Sequence, residues 1–187
     1  MAIIDLRLDY ISKNFGQPNH RGEWPIRGDV KKYCLYVDEI PVIDIELEYQ
    51  RFDNKMPNYS CVYISYYNNF FRTQNPTYNN QGYATTALKM VTELLLKERI
   101  PRMVLDIIED NERSKRVAAK AGYQKIKHNE YSVFNPDAIK MYEEGLKYLK
   151  DEDEELYYMQ MDRNLYLFQK YIATLKENRE EILTPSR

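Results

Sequence analysis

Residues 76–85, PTYNNQGYAT, decide the fold of this chain. A segment rich in β-forming residues precedes them, Gly82 lies within them, and apolar residues at helical spacing follow directly. The first amides of a helix have no partner inside the helix and lie at the positive end of its dipole. The stretch therefore predicts a strand, a glycine turn and a helix that binds an anion such as a pyrophosphate. The alternative is a plain strand–turn–helix connection without a ligand.

Known phosphate-binding loops differ from this one. A Walker loop has a Lys after its glycine, and a dinucleotide fingerprint has several glycines. Gly82 is alone and no Lys follows it, so neither loop is predicted.

A second motif lies further along the chain at residues 111–123, NERSKRVAAKAGY. It follows the apolar segment 103–108, which predicts a strand buried on both faces. Asn111 is a favourable helix cap, and Ser114 lies one turn further on, so we expect both to face one cleft. Gly122 predicts the end of this helix. The alternative is that Asn111 only caps the helix and Ser114 is exposed to solvent.

The segments before these motifs predict an antiparallel meander. Apolar and polar residues alternate or β-forming residues dominate at 3–10, 32–38, 42–50 and 59–72. Within 42–50, one face has Ile43, Ile45, Leu47 and Tyr49, and the other has Val42, Asp44, Glu46 and Glu48. Residues 12–30 are rich in Pro and Gly and predict a long loop.

The segments around and after the motifs predict a βαβαβ arrangement and hence a mixed sheet with helices on its faces. Its elements are a helix at 83–98, a strand at 103–108, a helix at 114–121 and a strand at 123–127. Residues 127–155 predict a helical and acidic insertion, and 156–161 a final strand. We predict one α/β domain over 1–162, followed by a helix over 163–187 that packs on the domain or on a second copy.

Composition excludes several classes of function. The chain has 187 residues, with 27 Lys and Arg against 29 Asp and Glu, and a net charge of −2. It has no basic excess for nucleic acid and no apolar run near the roughly 18 residues of a membrane span. Cys34 and Cys61 are too few for a disulfide framework or a metal cage. We expect a cytoplasmic protein with no metal, nucleic acid or membrane partner, and two small buried cysteines.

Together the two motifs resemble the GNAT superfamily of N-acetyltransferases, over about residues 59–126. The family motif of Arg or Gln, two residues, Gly, one residue, and Gly or Ala corresponds here to 79–84, with Asn79 at its first position. The family's second motif matches at Asn111, Ser114, Gly122 and Tyr123. The resemblance implies an acyl-CoA N-acyltransferase fold. In its motifs the chain is most similar to the subgroup that acetylates ribosomal-protein N-termini.

The resemblance implies that acetyl-CoA binds between the fourth and fifth strands. The pyrophosphate would lie on the amides of 81–85, the pantetheine arm beside 73–75, and the sulfur near Asn111 and Ser114. The implied cofactor-binding residues are Thr73, Gln74, Asn75, Asn79, Asn80, Gln81, Gly82, Tyr83, Ala84, Thr85, Asn111 and Ser114. The implied reaction is direct transfer of acetyl to a primary amine, on a small molecule or a peptide N-terminus, in a ternary complex.

The proton chemistry departs from the family pattern. Many members use a Tyr seven residues after the motif asparagine to protonate the thiolate, and this chain has Ala118 there. Ser114 or a bound water is the alternative donor. Glu46, Glu48 and Tyr63 are candidate bases, although an exposed strand carboxylate explains each glutamate equally well. The predicted catalytic residues are Ser114, Asn111 and Glu46.

The acceptor side also departs from the family. Residues 11–31 are too short for the two helices that usually border the acceptor, so the loop with Trp24, or Tyr131 and Phe134 of the insertion, is expected to take their place. The acceptor, the acyl length and the choice between monomer and homodimer stay open. One alternative function is a non-catalytic CoA-binding or interaction module. Another is a small α/β protein that binds a different phosphate ligand.

Overall fold

The computed structural model describes residues 2–13, 29–51, 59–68, 78–126 and 128–138, together with six positions between 140 and 151. The chain forms two compact units, Met1–Ile139 and Lys140–Arg187. In the second unit, the six described residues are all helical. The predicted strand at 156–161 and the predicted helix at 163–187 lie outside the described residues.

Among the described residues, the first unit contains a seven-stranded mixed sheet and two helices. The strands are β1 (Ile4–Lys13), β2 (Asp29–Val37), β3 (Ile40–Arg51), β4 (Tyr59–Asn68), β5 (Arg102–Asp106), β6 (Gln124–Lys125) and β7 (Glu130–Phe134). The helices are α1 (Tyr83–Lys97) and α2 (Glu112–Lys120), and a 3₁₀ turn spans Pro136–Ala138. The sheet order is β1-β2-β3-β4-β5-β7-β6.

The first four strands form the predicted antiparallel meander. The β2–β3 hairpin turns at Asp38 and Glu39, whose φ angles of 48° and 68° are both left-handed, as a tight two-residue turn requires. Alternation along β3 agrees with the prediction, because Ile43, Ile45, Leu47 and Tyr49 are all buried. This face is the one that packs in the core.

The prediction for residues 130–134 was wrong, whereas the strand predicted at 123–127 is present as the shorter β6. Residues 130–134 are not part of a helical insertion but form β7, which lies between β5 and β6 and is antiparallel to both. Tyr131 and Phe134, expected near the acceptor, are buried at 8% and 2% exposure. The buried polar residues of β7 obscured its pattern, since Glu130 is buried through an ion pair with Arg102 of β5.

Both helices place their apolar side against the core face of the sheet. Helix α1 buries Ala87, Leu88, Val91 and Leu95, and the shorter α2 buries Ala118. Helix α2 ends just before Gly122, whose left-handed φ of 91° stops the helix as predicted. The amide of Tyr123 donates to the carbonyl of Ala118 at 3.0 Å, which satisfies a carbonyl of the last turn. Among the described residues, no helix has the length and apolar content needed to cross a bilayer.

Candidate active site

The sheet opens between its two central parallel strands. In the described residues, β4 and β5 pair only at Val62 with Met103 and at Tyr63 with Val104. Strand β4 nevertheless continues to Asn68. A cleft of about 410 Å³ lies beside this part of the sheet. Its walls come from β3 and β4 (Ile43, Tyr66), the turn and start of α1 (Tyr78, Asn80, Gln81, Gly82, Tyr83, Ala84, Thr85) and α2 with its cap (Asn111, Arg113, Ser114, Arg116, Val117, Lys120).

The first turn of α1 faces this cleft with open amides. Gly82 is its N-cap residue, with a φ of 82° that favours glycine. No described side chain caps the helix, and its first turn contains no acidic residue. The amides of Tyr83, Ala84 and Thr85 therefore have no acceptor within the helix. This end of α1 is suited to an anion, as the sequence predicted.

The first turn of α2 is satisfied internally, in contrast to α1. The Oδ1 atom of Asn111 accepts a hydrogen bond from the Ser114 amide at 3.0 Å. Glu112 lies in the same turn, and its carboxylate pairs with Lys115 at 2.6 Å. The cap predicted as the alternative for Asn111 is therefore present, and the same residue also borders the cleft.

Helix α2 turns a cationic face toward the cleft, which the sequence-based prediction missed. Arg113, Arg116 and Lys120 all line the cleft. None of the three forms an ion pair with a described residue, whereas Lys115 on another side of the helix does. The sequence did contain a signal for this face. Arg113, Arg116 and Lys120 are separated by three and four positions, and this spacing places side chains on one face of a helix. Three cations beside the open end of α1 give this part of the cleft a positive charge, which suits a polyanion.

Tyr66 is a further cleft residue that was not predicted from the sequence. Its side chain lies on the core face of β4 after Val62 and Ile64, and its hydroxyl donates a hydrogen bond to the Ser114 carbonyl at 3.4 Å. Burial raises the pKa of Tyr66, partly opposed by the bond to Ser114 and by nearby Arg113. The alternation along β4 predicts which face of the sheet the Tyr66 side chain lies on. It does not predict the contact with Ser114, which is 48 positions away in the sequence.

The position of the usual family tyrosine cannot supply a hydroxyl. Ala118 is completely buried, in the core cluster beneath α2. Any proton donor at the cleft must therefore be another residue or a bound water.

The predicted bases lie on the other side of the sheet. Glu46 pairs across the strands with Ser65, one residue before Tyr66, so its side chain points away from the cleft. Its carboxylate forms an ion pair with Lys32 at 2.8 Å. Glu48 pairs with Tyr63 on the same face. The catalytic role of Glu46 stays a prediction.

The structure brings together most of the predicted cofactor-binding residues. Those that line the cleft are Asn80, Gln81, Gly82, Tyr83, Ala84, Thr85, Asn111 and Ser114. Asn79 belongs to the turn that leads into α1. Thr73, Gln74 and Asn75, predicted beside the pantetheine arm, lie outside the described residues, as does the loop with Trp24.

Both cysteines are buried, as predicted, and neither forms a disulfide. Burial raises the pKa of the Cys61 thiol to about 11. A thiol with this pKa is almost entirely protonated at neutral pH and is a poor nucleophile.

Residues 70–124 match the family model of the acetyltransferase (GNAT) domain. The matched segment contains α1, β5 and α2, which are the elements beside the cleft. The match confirms the predicted resemblance over this segment of the chain. No curated protein matches the chain significantly.

Solved structures that match part of the chain include acetyltransferases. The ribosomal-protein-S5-alanine acetyltransferase from Vibrio fischeri has 15% identity and a TM-score of 0.46, over 58% of this chain and 63% of its own. RimJ from Mycobacterium smegmatis, in complex with CoA-disulfide, has 16% identity and a TM-score of 0.46, over 58% and 54%. The aminoglycoside acetyltransferase AAC(6')-Ib, in complex with coenzyme A, has 14% identity and a TM-score of 0.45, over 60% and 70%. The chain covers less than two thirds of the first two structures.

Proposed function

We propose that this protein is an acetyl-CoA-dependent N-acetyltransferase. It moves an acetyl group to a primary amine, on a small molecule or at a peptide N-terminus, by direct attack in a ternary complex. The observation that supports this most is the cleft in which the open end of α1 meets the cationic face of α2. Two buried cysteines that form no disulfide agree with a cytoplasmic location.

The charged groups of the cleft fit the phosphates of coenzyme A. A pyrophosphate accepts hydrogen bonds, and the amides of residues 83–85 offer donors at the positive end of a helix dipole. Arg113, Arg116 and Lys120 add three positive charges along one wall. The 3′-phosphate of the nucleotide end supplies a further anion for these side chains. The nucleotide end of acetyl-CoA would therefore lie between the start of α1 and the exposed face of α2.

The flexible arm of acetyl-CoA would enter the opening between β4 and β5. Backbone groups of β4 beyond Tyr63 are not paired with β5 among the described residues, so they are available to the amides of the arm. Asn111 and Ser114 border this route from α2, and Tyr66 borders it from β4. Binding at residues 73–75 stays part of the proposal.

The residues of the chain contribute mainly position and electrostatics. Bound acetyl-CoA supplies the activated acetyl group as a thioester. The cleft holds the thioester in one place, which converts attack by a bound amine into an intramolecular step. Fixed amide dipoles near the acetyl oxygen would stabilise negative charge as it develops.

A non-catalytic CoA-binding module is the second candidate. Ala118 favours it, because the residue is buried and has no proton to donate. The two candidates share the donor site and differ only in turnover.

Calorimetric titration with acetyl-CoA, CoA and 3′-dephospho-CoA tests the donor site first. We expect tight binding of acetyl-CoA and CoA, and weaker binding of 3′-dephospho-CoA. Thiol release from acetyl-CoA is then measured with a panel of amines and peptides. Binding together with amine-dependent thiol release supports the enzyme. Binding without release from any amine favours the module, and absence of binding to all three ligands contradicts both.

A further inference from the structure

We propose that Tyr66 of β4 donates the proton that the coenzyme A sulfur acquires, in place of the tyrosine that α2 lacks. This inference rests on the proposed function, since it names a residue of the same site. Tyr66 would act by direct contact with the sulfur, so it is a catalytic residue in this proposal.

The position of Tyr66 on the sheet is the first argument. Strand β4 stays paired with β5 only as far as Tyr63, and Tyr66 follows three residues later. Its ring lies on the same face as Val62 and Ile64, toward the helices and the cleft. A linear thioester arm that enters between the strands must therefore pass beside this hydroxyl.

The hydrogen bond of Tyr66 is the second argument. Its hydroxyl lies 3.4 Å from the Ser114 carbonyl oxygen, much longer than the roughly 2.7–2.8 Å typical of a hydroxyl donor. The bond is weak, and an α-helix carbonyl in the first turn already accepts from a backbone amide. The hydroxyl can therefore turn toward a better acceptor, such as a thiolate, at little cost. The same contact keeps it next to Ser114 in the absence of ligand.

Acidity and position together distinguish the Tyr66 hydroxyl from the other hydroxyls of the cleft. A phenol has a pKa near 10 and a thiol one near 8.5, so their proton affinities are comparable, as general acid catalysis requires. The alcohol of Ser114 is a far weaker acid. Tyr78 and Tyr83 are phenols too, but both belong to the turn and first residue of α1, at the phosphate end of the cleft. Burial raises the pKa of Tyr66, so the phenol stays protonated at neutral pH.

The step balances without another reactant. The amine nitrogen bonds to the acetyl carbon, and the carbon–sulfur bond breaks with its electron pair on sulfur. The Tyr66 hydroxyl gives its proton to the sulfur, and the proton lost by the amine restores the phenol. The products are the acetylated amine and free coenzyme A.

The test compares Tyr66→Phe with two other variants. Tyr10→Phe is the matched control, because it also removes one phenol but from an exposed ring on β1, at the far edge of the sheet. Ser114→Ala removes the competing donor. Calorimetry with CoA shows whether each variant retains the site. The ionisation of the bound CoA thiol is then followed by measuring thiolate absorbance as a function of pH, with desulfo-CoA as the blank. This measurement requires no acceptor amine.

We expect Tyr66→Phe to bind CoA as tightly as the wild type and to raise the pKa of the bound thiol by about one unit, because the thiolate loses a hydrogen bond. With any amine that is a substrate, kcat should fall about 100-fold while KM for acetyl-CoA stays unchanged. Tyr10→Phe should match the wild type in all three measurements.

Three results would overturn the inference. An unchanged thiol pKa in Tyr66→Phe would show that the hydroxyl does not reach the sulfur. If the pKa of the bound thiol rose in Ser114→Ala but not in Tyr66→Phe, Ser114 would be the proton donor. Loss of CoA binding in Tyr66→Phe alone would give the residue a binding role. Absence of CoA binding by the wild type instead contradicts the proposed function itself.

Discussion

The amide of Ser114 donates a 3.0 Å hydrogen bond to the Asn111 side chain, so Asn111 is the N-cap of α2. We expect Asn111→Ala to lower the free energy of unfolding by about 1 kcal/mol, because the first turn loses its side-chain acceptor. Asn111→Asp keeps an acceptor at the same place and should retain wild-type stability. Urea unfolding of both variants measures this. Equal destabilisation by Ala and Asp would contradict the capping role.

Gly82 and Gly122 form a matched pair for testing the anion site. Both have left-handed φ angles, 82° and 91°, and a Cβ atom added to either glycine would meet no heavy atom within 4 Å. An Asp at either position therefore has space but strains the backbone by about 1–2 kcal/mol. Only Gly82→Asp places a negative charge at the start of α1.

We expect both variants to lose thermal stability and only Gly82→Asp to lose acetyl-CoA binding. Thermal unfolding and calorimetry measure the two effects separately. An equal loss of affinity in Gly122→Asp would show that strain rather than charge is responsible.

The cationic face of α2 predicts a salt-dependent affinity for coenzyme A. The double variant Arg116→Gln/Lys120→Gln removes two charges from the cleft wall, and we expect its Kd for CoA to rise about tenfold at low salt. The difference from the wild type should shrink as salt is added. Lys89→Gln, on the exposed side of α1, is the control and should bind as the wild type does. If the double variant bound CoA with the affinity of the wild type at every salt concentration, Arg116 and Lys120 would not contribute to phosphate binding.

The buried ion pair of Arg102 and Glu130 should be important for attaching β7. Their side chains are 3% and 11% exposed, and Arg102 also donates to Ser132 of β7. Glu130→Gln leaves the buried guanidinium without its charge partner, and we expect it to cost about 3–5 kcal/mol in urea unfolding.

The exposed pair of Arg7 and Glu39 provides the control, and Glu39→Gln should have a much smaller effect. If the two variants were equally stable, the buried pair would not be what attaches β7 to β5.

The buried thiol of Cys61 predicts lower stability in alkali. Its pKa is raised from an ordinary value of 9.0 to about 11 in the folded protein. Between these values the unfolded chain has lost the proton and the folded chain retains it, so the stabilisation present below pH 9 is lost as the pH rises toward 11. The contribution is on the order of 2–3 kcal/mol.

Cys61→Ala should reduce this slope between pH 9 and 11, measured by urea unfolding at each pH. An unchanged slope would assign the alkaline loss to the buried tyrosines instead. In the wild type, neither Cys34 nor Cys61 should react with iodoacetamide at neutral pH before unfolding, because both are buried.

Much of the local structure around the cleft could be predicted from the sequence. The turn at Gly82, the start of α1 and the cap at Asn111 depend on local sterics and local hydrogen bonds, which neighbouring residues specify. The alternation along β3 similarly identified the core face. The strand β7 was missed because Glu130 and Ser132 are polar yet buried, and their burial depends on Arg102, 28 and 30 positions away.

The sequence by itself determined the order of most elements, the glycine turn at the start of α1 and the absence of a phenol at position 118. The tertiary structure alone decided which side chains share the cleft. It placed Tyr66 against Ser114 and turned Arg113, Arg116 and Lys120 toward the start of α1. The physical reason is that strand pairing and helix packing join residues far apart in the chain, and no local pattern specifies where two such elements meet.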